Sequence, residues 1–214
     1  MTARVYSLTD KVISALDDGL RTVFGRPLTT ERPDPATGIE SGELGDAERR
    51  LAEGLMRVNH TGEVCAQALY SAQALTARDP ATGECMRRAA MEENDHLDWC
   101  ERRVQELGGH LSYLNPLWYL GSFAIGTAAG LAGDRWNLGF VVETEHQVVR
   151  HLDSHLERLP AQDRKSRAIV EQMKIDEQHH ATTALRNGAS ELPGVIKRLM
   201  KLQSRVMTTV AYWI

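Results

Sequence analysis

The stretch Glu93-Asn-Asp-His96, echoed by Glu177-Gln-His-His180, decides how this chain is read. In a helix, residues three apart lie one turn apart on the same face. Each pair sets a carboxylate beside an imidazole where an amphipathic helix would bury Leu or Val. Glu63 stands 30 residues before Glu93, and Glu145 stands 32 before Glu177. Four carboxylates and two imidazoles are the ligand set of a two-iron centre inside a four-helix bundle.

The apolar stripes around these residues favour burial. One helix reads Met86, Ala89, Glu93, His96, Cys100, Val104, Leu107 along its inward face. Another reads Val170, Met173, Glu177, His180, Ala184, and a third reads Leu138, Val141, Glu145, Val148, Leu152, Leu156. Glu63 is less clean, lying beside the Val58–Leu69 stripe and after Thr61 and Gly62. A single glutamate beside an apolar seam reads as a surface residue. Four of them with two histidines at matching offsets do not. Buried unpaired carboxylates cost several kcal/mol each, and two divalent cations would cancel four negative charges.

A competing register, Asp176-x-x-His179, has a mostly polar stripe, so Glu177 and His180 are preferred. By the same reasoning Glu92 and Asp95 are expected as solvated neighbours, with Glu143 off the seam. His60, His146, His155 and His179 read as satisfied or exposed histidines. His151 is the one candidate to stand behind the ligands. No hydrogen-bond partner for either ligand imidazole can be named from sequence.

Helical periodicity runs from Asp46 onward, with helices expected over Asp46–Thr76, Ala81–Leu107, Arg135–Leu159, Ala161–Arg186 and Pro193–Ile214. The first four form two similar halves joined by a long link over residues 108–134. The fold class is therefore all-α: a ferritin-like four-helix bundle with a long apolar crossover and an added C-terminal amphipathic helix. Residues 1–45 form a separate N-terminal part. Thr9 is expected to cap a short helix whose apolar face carries Leu8, Val12, Leu16, Leu20 and Val23. Residues 25–45, rich in Gly, Pro, Asp and Thr, read as a flexible connection to the bundle over 46–214.

With 214 residues the chain is long enough for one sizeable core, and its net charge of −4 gives no basic field for nucleic acid. The cysteines Cys65, Cys85 and Cys100 show no CxxC spacing and read as reduced, buried small hydrophobes in a cytosolic context. The N-terminus MTARVYSLTDKV has no apolar core for export.

Leu111–Gly133 holds no charged residue or histidine. By length it borders on a membrane span, but one crossing would strand the two halves of the ligand set on opposite sides. It is expected to pack on the bundle and meet the bilayer surface. The last helix carries Leu199, Leu202 and Val206 flanked by Lys197, Arg198, Lys201 and Arg205. Such a helix suits an anionic membrane interface; a fifth bundle helix or a dimer contact is the alternative.

Together, Arg57-Val-Asn-His-Thr-Gly-Glu63, Glu93-Asn-Asp-His96, Glu145 and Asp176-Glu177-Gln-His-His180 resemble the demethoxyubiquinone hydroxylases, di-iron carboxylate proteins of ubiquinone biosynthesis. The likeness spans residues 46–214. It implies that Glu63, Glu93 and His96 bind one Fe2+ and Glu145, Glu177 and His180 the other, with Glu93 and Glu177 placed to bridge. No catalytic residue beyond these ligands is implied. The implied reaction is a dioxygen-dependent monooxygenation of a polyprenylated methoxy-methyl-benzoquinol. Electrons would come from the quinol or a nicotinamide-linked donor, although no GxGxxG fingerprint is present. Some members have His-Tyr where this chain has His151-Leu152, so a tyrosine redox role does not carry over. The implied setting is peripheral, on the cytoplasmic face of the cell membrane, with other ubiquinone-biosynthesis proteins or a second copy of the chain as partners. An iron-oxidising or peroxide-scavenging bundle of the ferritin or rubrerythrin type is the alternative. The ligand types accept iron or manganese alike.

Overall fold

A computed structural model describes residues 7–214; residues 1–6, part of the N-terminus read above for an export signal, lie outside it. Among the described residues seven helices follow one another: α1 (Leu8–Phe24), α2 (Asp46–Thr76), α3 (Pro80–Glu106), α4 (Asn115–Leu131), α5 (Asp134–Arg158), α6 (Arg164–Arg186) and α7 (Gly194–Ala211). No strand occurs among the described residues. The fold is all-α, a ferritin-like bundle.

Local chemistry sets the ends of these helices. Asp79 caps α3 by accepting from the Thr82 amide at 2.9 Å, and Pro80 occupies the first turn, where its missing N–H costs nothing. Asp163 caps α6 in the same way through Ser166. Gly108 ends the α3 turn with φ 79°, a left-handed conformation in which a side chain would be strained. For α1 the cap is Ser7 rather than the expected Thr9. Ser7 and Asp10 exchange bonds between side chain and backbone, which starts the helix two residues earlier.

The four-helix core pairs α2 with α3 and α5 with α6, and α3 meets α6 across the centre. One apolar cluster, with Leu55, Met56, Trp99, Val104, Ile169 and Met173, fills one end. A second, with Tyr70, Met86, Leu138, Val141 and Ala184, fills the other. The carboxylates and imidazoles described below lie between them.

The crossover helix α4 lies along α2. Gly126 permits the approach: a Cβ there would stand 2.7 Å from the Leu69 carbonyl oxygen. α4 has 17 residues, and among the described residues no helix is long and apolar enough to cross a membrane.

Two amphipathic helices leave much of their apolar faces open. Val12, Leu16 and Leu20 on α1 are exposed, although Val23 packs beside Tyr119; the Leu8 side chain is outside the description. On α7, Leu199, Leu202 and Val206 point outward, while Met207 and Ala211 carry the contact with the bundle. Residues 25–45 lack regular structure as expected, yet they are laid along the bundle. Ala36 is buried against the Trp99 cluster, and the Leu28 carbonyl accepts from Asn94 at 3.0 Å.

Candidate metal centre

Each of four helices delivers part of one cluster: Glu63 from α2, Glu93 and His96 from α3, Glu145 from α5, Glu177 and His180 from α6. All six are buried. Their donor atoms form two overlapping groups. Glu63, Glu93, His96 and Glu177 make one; Glu93, Glu145, Glu177 and His180 make the other. Within each group the donor atoms lie within 4.8 Å of one another. Glu93 and Glu177 belong to both, the arrangement needed for carboxylates that bridge two ions.

The imidazoles face the cluster with the same nitrogen. His96 Nδ1 lies 2.8 Å from Glu93, 3.4 Å from Glu177 and 3.7 Å from Glu63. His180 Nδ1 lies 3.1 Å from Glu177 and 3.4 Å from Glu93. Each Nε2 turns away to an outer carboxylate: Asp176 for His96 and Glu92 for His180, both at 2.9 Å. A metal-bound imidazole takes just such a partner at its second nitrogen.

Electrostatics agree with a site built for cations. Burial raises the Glu63 carboxyl well above its ordinary range, and the neighbouring Glu93 charge adds to this. Glu145 is raised likewise by burial and by Glu177, and its Oε1 has no protein partner. Glu93 Oε1 is also unpartnered. Burial opposes the ionised form of Glu177, but hydrogen bonds from His180 and His96 outweigh it and lower its pKa. Burial opposes the charged form of His180 too, and its bonds to Glu177 and Glu92 with the nearby Glu93 charge still raise it. Protons on the imidazoles stand where divalent cations would stand. The donor set and the orphaned carboxylate oxygens fit two such ions.

The surroundings revise three expectations. Asp176 is buried and bonded to His96, not a solvated alternative to Glu177. Asp95 is fully buried, held by Thr30 and Arg32. Glu92 is partly exposed yet bonded to His180. Of the histidines read as satisfied or exposed, His179 and His146 are exposed, His60 is buried beside Asn115, and His155 is buried with Nδ1 unpartnered. Burial holds His60 and His151 down to about 4. His151 does not touch the ligands by a hydrogen bond; its ring lies tilted against that of His155, 3.9 Å between centroids.

A cavity reaches the cluster from the side of α4 and α7. Glu63, Glu145 and Glu177 line its floor, and Leu69, Ile125 and Met207 its walls.

Fold and site together define a ferritin-like carboxylate–histidine bundle with room for two metal ions. The sequence matches the family described as "Ubiquinone biosynthesis protein COQ7" over residues 50–211, and the chain belongs to that family. It is 62% identical over its full length to a "3-demethoxyubiquinol 3-hydroxylase" of Nitrosococcus oceani, all of which is covered. It is 59% identical to the protein of the same name from Laribacter hongkongensis, covering 97% of this chain and 100% of the relative. The Azoarcus protein of that name is 58% identical, over 95% of this chain and 98% of its own length.

Proposed function

We propose that this chain is a dioxygen-dependent 3-demethoxyubiquinol 3-hydroxylase with two iron ions held by Glu63, Glu93, His96, Glu145, Glu177 and His180. The observation that carries the reading is the pair of overlapping donor groups at the floor of an apolar-walled cavity. The names of the relatives supply the substrate. They also set aside the ferritin or rubrerythrin alternative, for which no observation speaks.

The reaction replaces a ring C–H by C–OH. Dioxygen supplies the oxygen, its other atom leaves as water, and two electrons and two protons come from an external donor. Bound iron would supply the reduction of dioxygen and the oxygen transfer. The residues of this chain do the rest. Glu93 and Glu177 would be shared between the two ions and Glu63 and Glu145 would serve one ion each, the four carboxylates together balancing two divalent cations. Asp176 and Glu92 fix the imidazole orientations. Leu69, Ile125 and Met207 exclude water from the side on which a quinol ring would enter.

A polyprenyl substrate lives in the bilayer, so the enzyme must reach it there. The exposed apolar faces of α1 and α7, with Leu117 and Leu120 exposed on α4, support peripheral contact with the membrane. Lys197, Arg198, Lys201 and Arg205 on α7 favour the anionic, cytoplasmic leaflet. A second copy or another ubiquinone-biosynthesis protein would compete for these same faces.

Deleting the gene tests the reaction. The expected result is accumulation of the demethoxy precursor among extracted quinones, reversed by the wild-type gene but not by Glu177→Ala. A normal quinone profile would overturn the assignment.

A further inference from the structure

The outer partners of the two imidazoles are not equivalent. The Asp176 side chain is 11% exposed, that of Glu92 36%. Asp176 Oδ2, the atom bonded to His96, also accepts from Arg32 Nη1 at 3.0 Å, and Asp176 Oδ1 accepts from Gln172 at 2.9 Å. Arg32 Nε donates to the fully buried Asp95 at 2.7 Å. Its guanidinium lies over the Trp99 ring, 5.1 Å from the centroid, and Trp99 tilts against the His96 ring at 5.4 Å. Arg32 therefore grips both neighbours of His96, its carboxylate and its aromatic wall. Among the described residues, no lysine or arginine pairs with Glu92.

The segment is built to bring Arg32 there. Thr30 donates its amide to Asp95 at 2.7 Å. Between the two anchors, Glu31 takes the left-handed backbone with φ 64°, a conformation non-glycine residues rarely adopt without a surrounding reason. Both anchors precede residues 50–211, the stretch of the family match, but lie within the full-length match to the Nitrosococcus oceani protein.

We propose that Arg32 is a positioning residue for the metal centre: by clamping Asp176 and Asp95 it fixes the His96 imidazole, so that the metal position at His96 holds its ion more tightly than the position at His180. The proposal rests on the two-metal reading above. A planar guanidinium sharing two carboxylates leaves Asp176 one orientation. The His96 ring then has nowhere to swing. Glu92, about a third exposed and without a cationic clamp, leaves His180 free to rotate away with its ion.

The test is release of Fe2+ from the anaerobically loaded full-length protein to an excess of ferrozine, followed by absorbance. Wild type should lose iron in two phases. Arg32→Gln should speed the slow phase about tenfold, the low end of what loss of an outer partner does to metal affinity, and leave the fast phase unchanged. Glu92→Gln should speed only the fast phase. Arg32→Lys, which keeps the charge but not the fork, should recover part of the slow phase, and it carries the test if Arg32→Gln does not fold. A general loosening of the bundle would speed both phases alike and overturn the proposal. So would a single release rate in wild type, or an unchanged slow phase in both Arg32 variants. Failure of the wild type to take up iron overturns the two-metal reading and this proposal with it; uptake with uniform release overturns this proposal alone.

Discussion

Asp176 and His96 meet across the bundle, with Asp176 Oδ2 2.9 Å from His96 Nε2. The next residue in the chain, Glu177, faces the other ring nitrogen of the same imidazole at 3.4 Å. Two consecutive carboxylates of α6 thus address opposite edges of one histidine of α3. They are one helical step apart, so only one of them can look into the centre.

Replacing each in turn separates the two roles. Glu177→Ala removes a donor shared by both groups and should abolish retention of both irons. Asp176→Ala leaves every donor in place and should weaken affinity by roughly 10–100-fold, the usual cost of losing the partner of a ligating histidine. Iron per chain after gel filtration, measured by atomic emission, checks both. Full retention in Glu177→Ala together with loss in Asp176→Ala would reverse the assignment.

Much of this was legible in the sequence because metal donors break an apolar stripe in a regular way. Glu93, His96, Glu145, Glu177 and His180 fall on helical seams that are otherwise Val, Leu, Met and Ala. Asp176, Glu92 and Asp95 flank a seam and so read as solvated, because periodicity places a residue on one helix without saying what another segment brings against it. Asp95 is buried by Thr30 and Arg32, more than 60 positions away in the chain. Nothing local marks that contact; only the positive φ at Glu31 betrays it, and φ is invisible in sequence. The apolar face of α1 is legible as a face, but periodicity does not say what covers it, and Leu16 and Leu20 stand open.

Gly126 and Gly121 lie on opposite sides of α4 and should respond oppositely to alanine. At Gly126 the new methyl would meet Leu69 backbone and Ala72, so α4 must move off α2. Overpacking of this kind costs about 1–3 kcal/mol, a fall in melting temperature of roughly 2–12 °C for a chain of this size. At Gly121 the methyl meets nothing within 4 Å. There the gain in helix propensity of about 0.5–1 kcal/mol should show as a small rise. Thermal melts followed by circular dichroism at 222 nm decide both. Equal effects would mean that α4 is not seated as described.

The exposed leucines of α7 give the membrane reading a direct test. Leu199 and Leu202 are each 60% exposed. Burying one such side chain in an apolar phase is worth about 1.5–3 kcal/mol, and about 1.4 kcal/mol is tenfold in affinity. Leu199→Glu/Leu202→Glu should therefore weaken binding to phosphatidylglycerol-containing vesicles by at least about tenfold in cosedimentation, with the melting temperature unchanged. Raising salt should weaken the wild type as well, because the basic flank contributes through screened charge. Wild-type protein that stays in the supernatant at all lipid concentrations would remove the membrane contact.

His60 supplies a pH dependence whose sign follows from its burial. It is 3% exposed, Asn115 is its nearest polar partner at 3.5 Å, and burial lowers its pKa from 6.5 to about 4. Above pH 6.5 it is neutral in both folded and unfolded chains and costs nothing. Between pH 6.5 and 4 the unfolded chain takes up a proton that the folded chain refuses, so stability falls as pH falls. The full shift corresponds to about 3 kcal/mol at about 1.4 kcal/mol per unit. His60→Gln removes this titration but loses packing. It should be the less stable protein at pH 7, and the gap to wild type should narrow by about 2 kcal/mol on going to pH 4.5. Urea denaturation of the metal-free proteins at both pH values measures the gap. A gap that is constant with pH would mean that His60 takes up its proton in the folded state, and that its pocket is open to water.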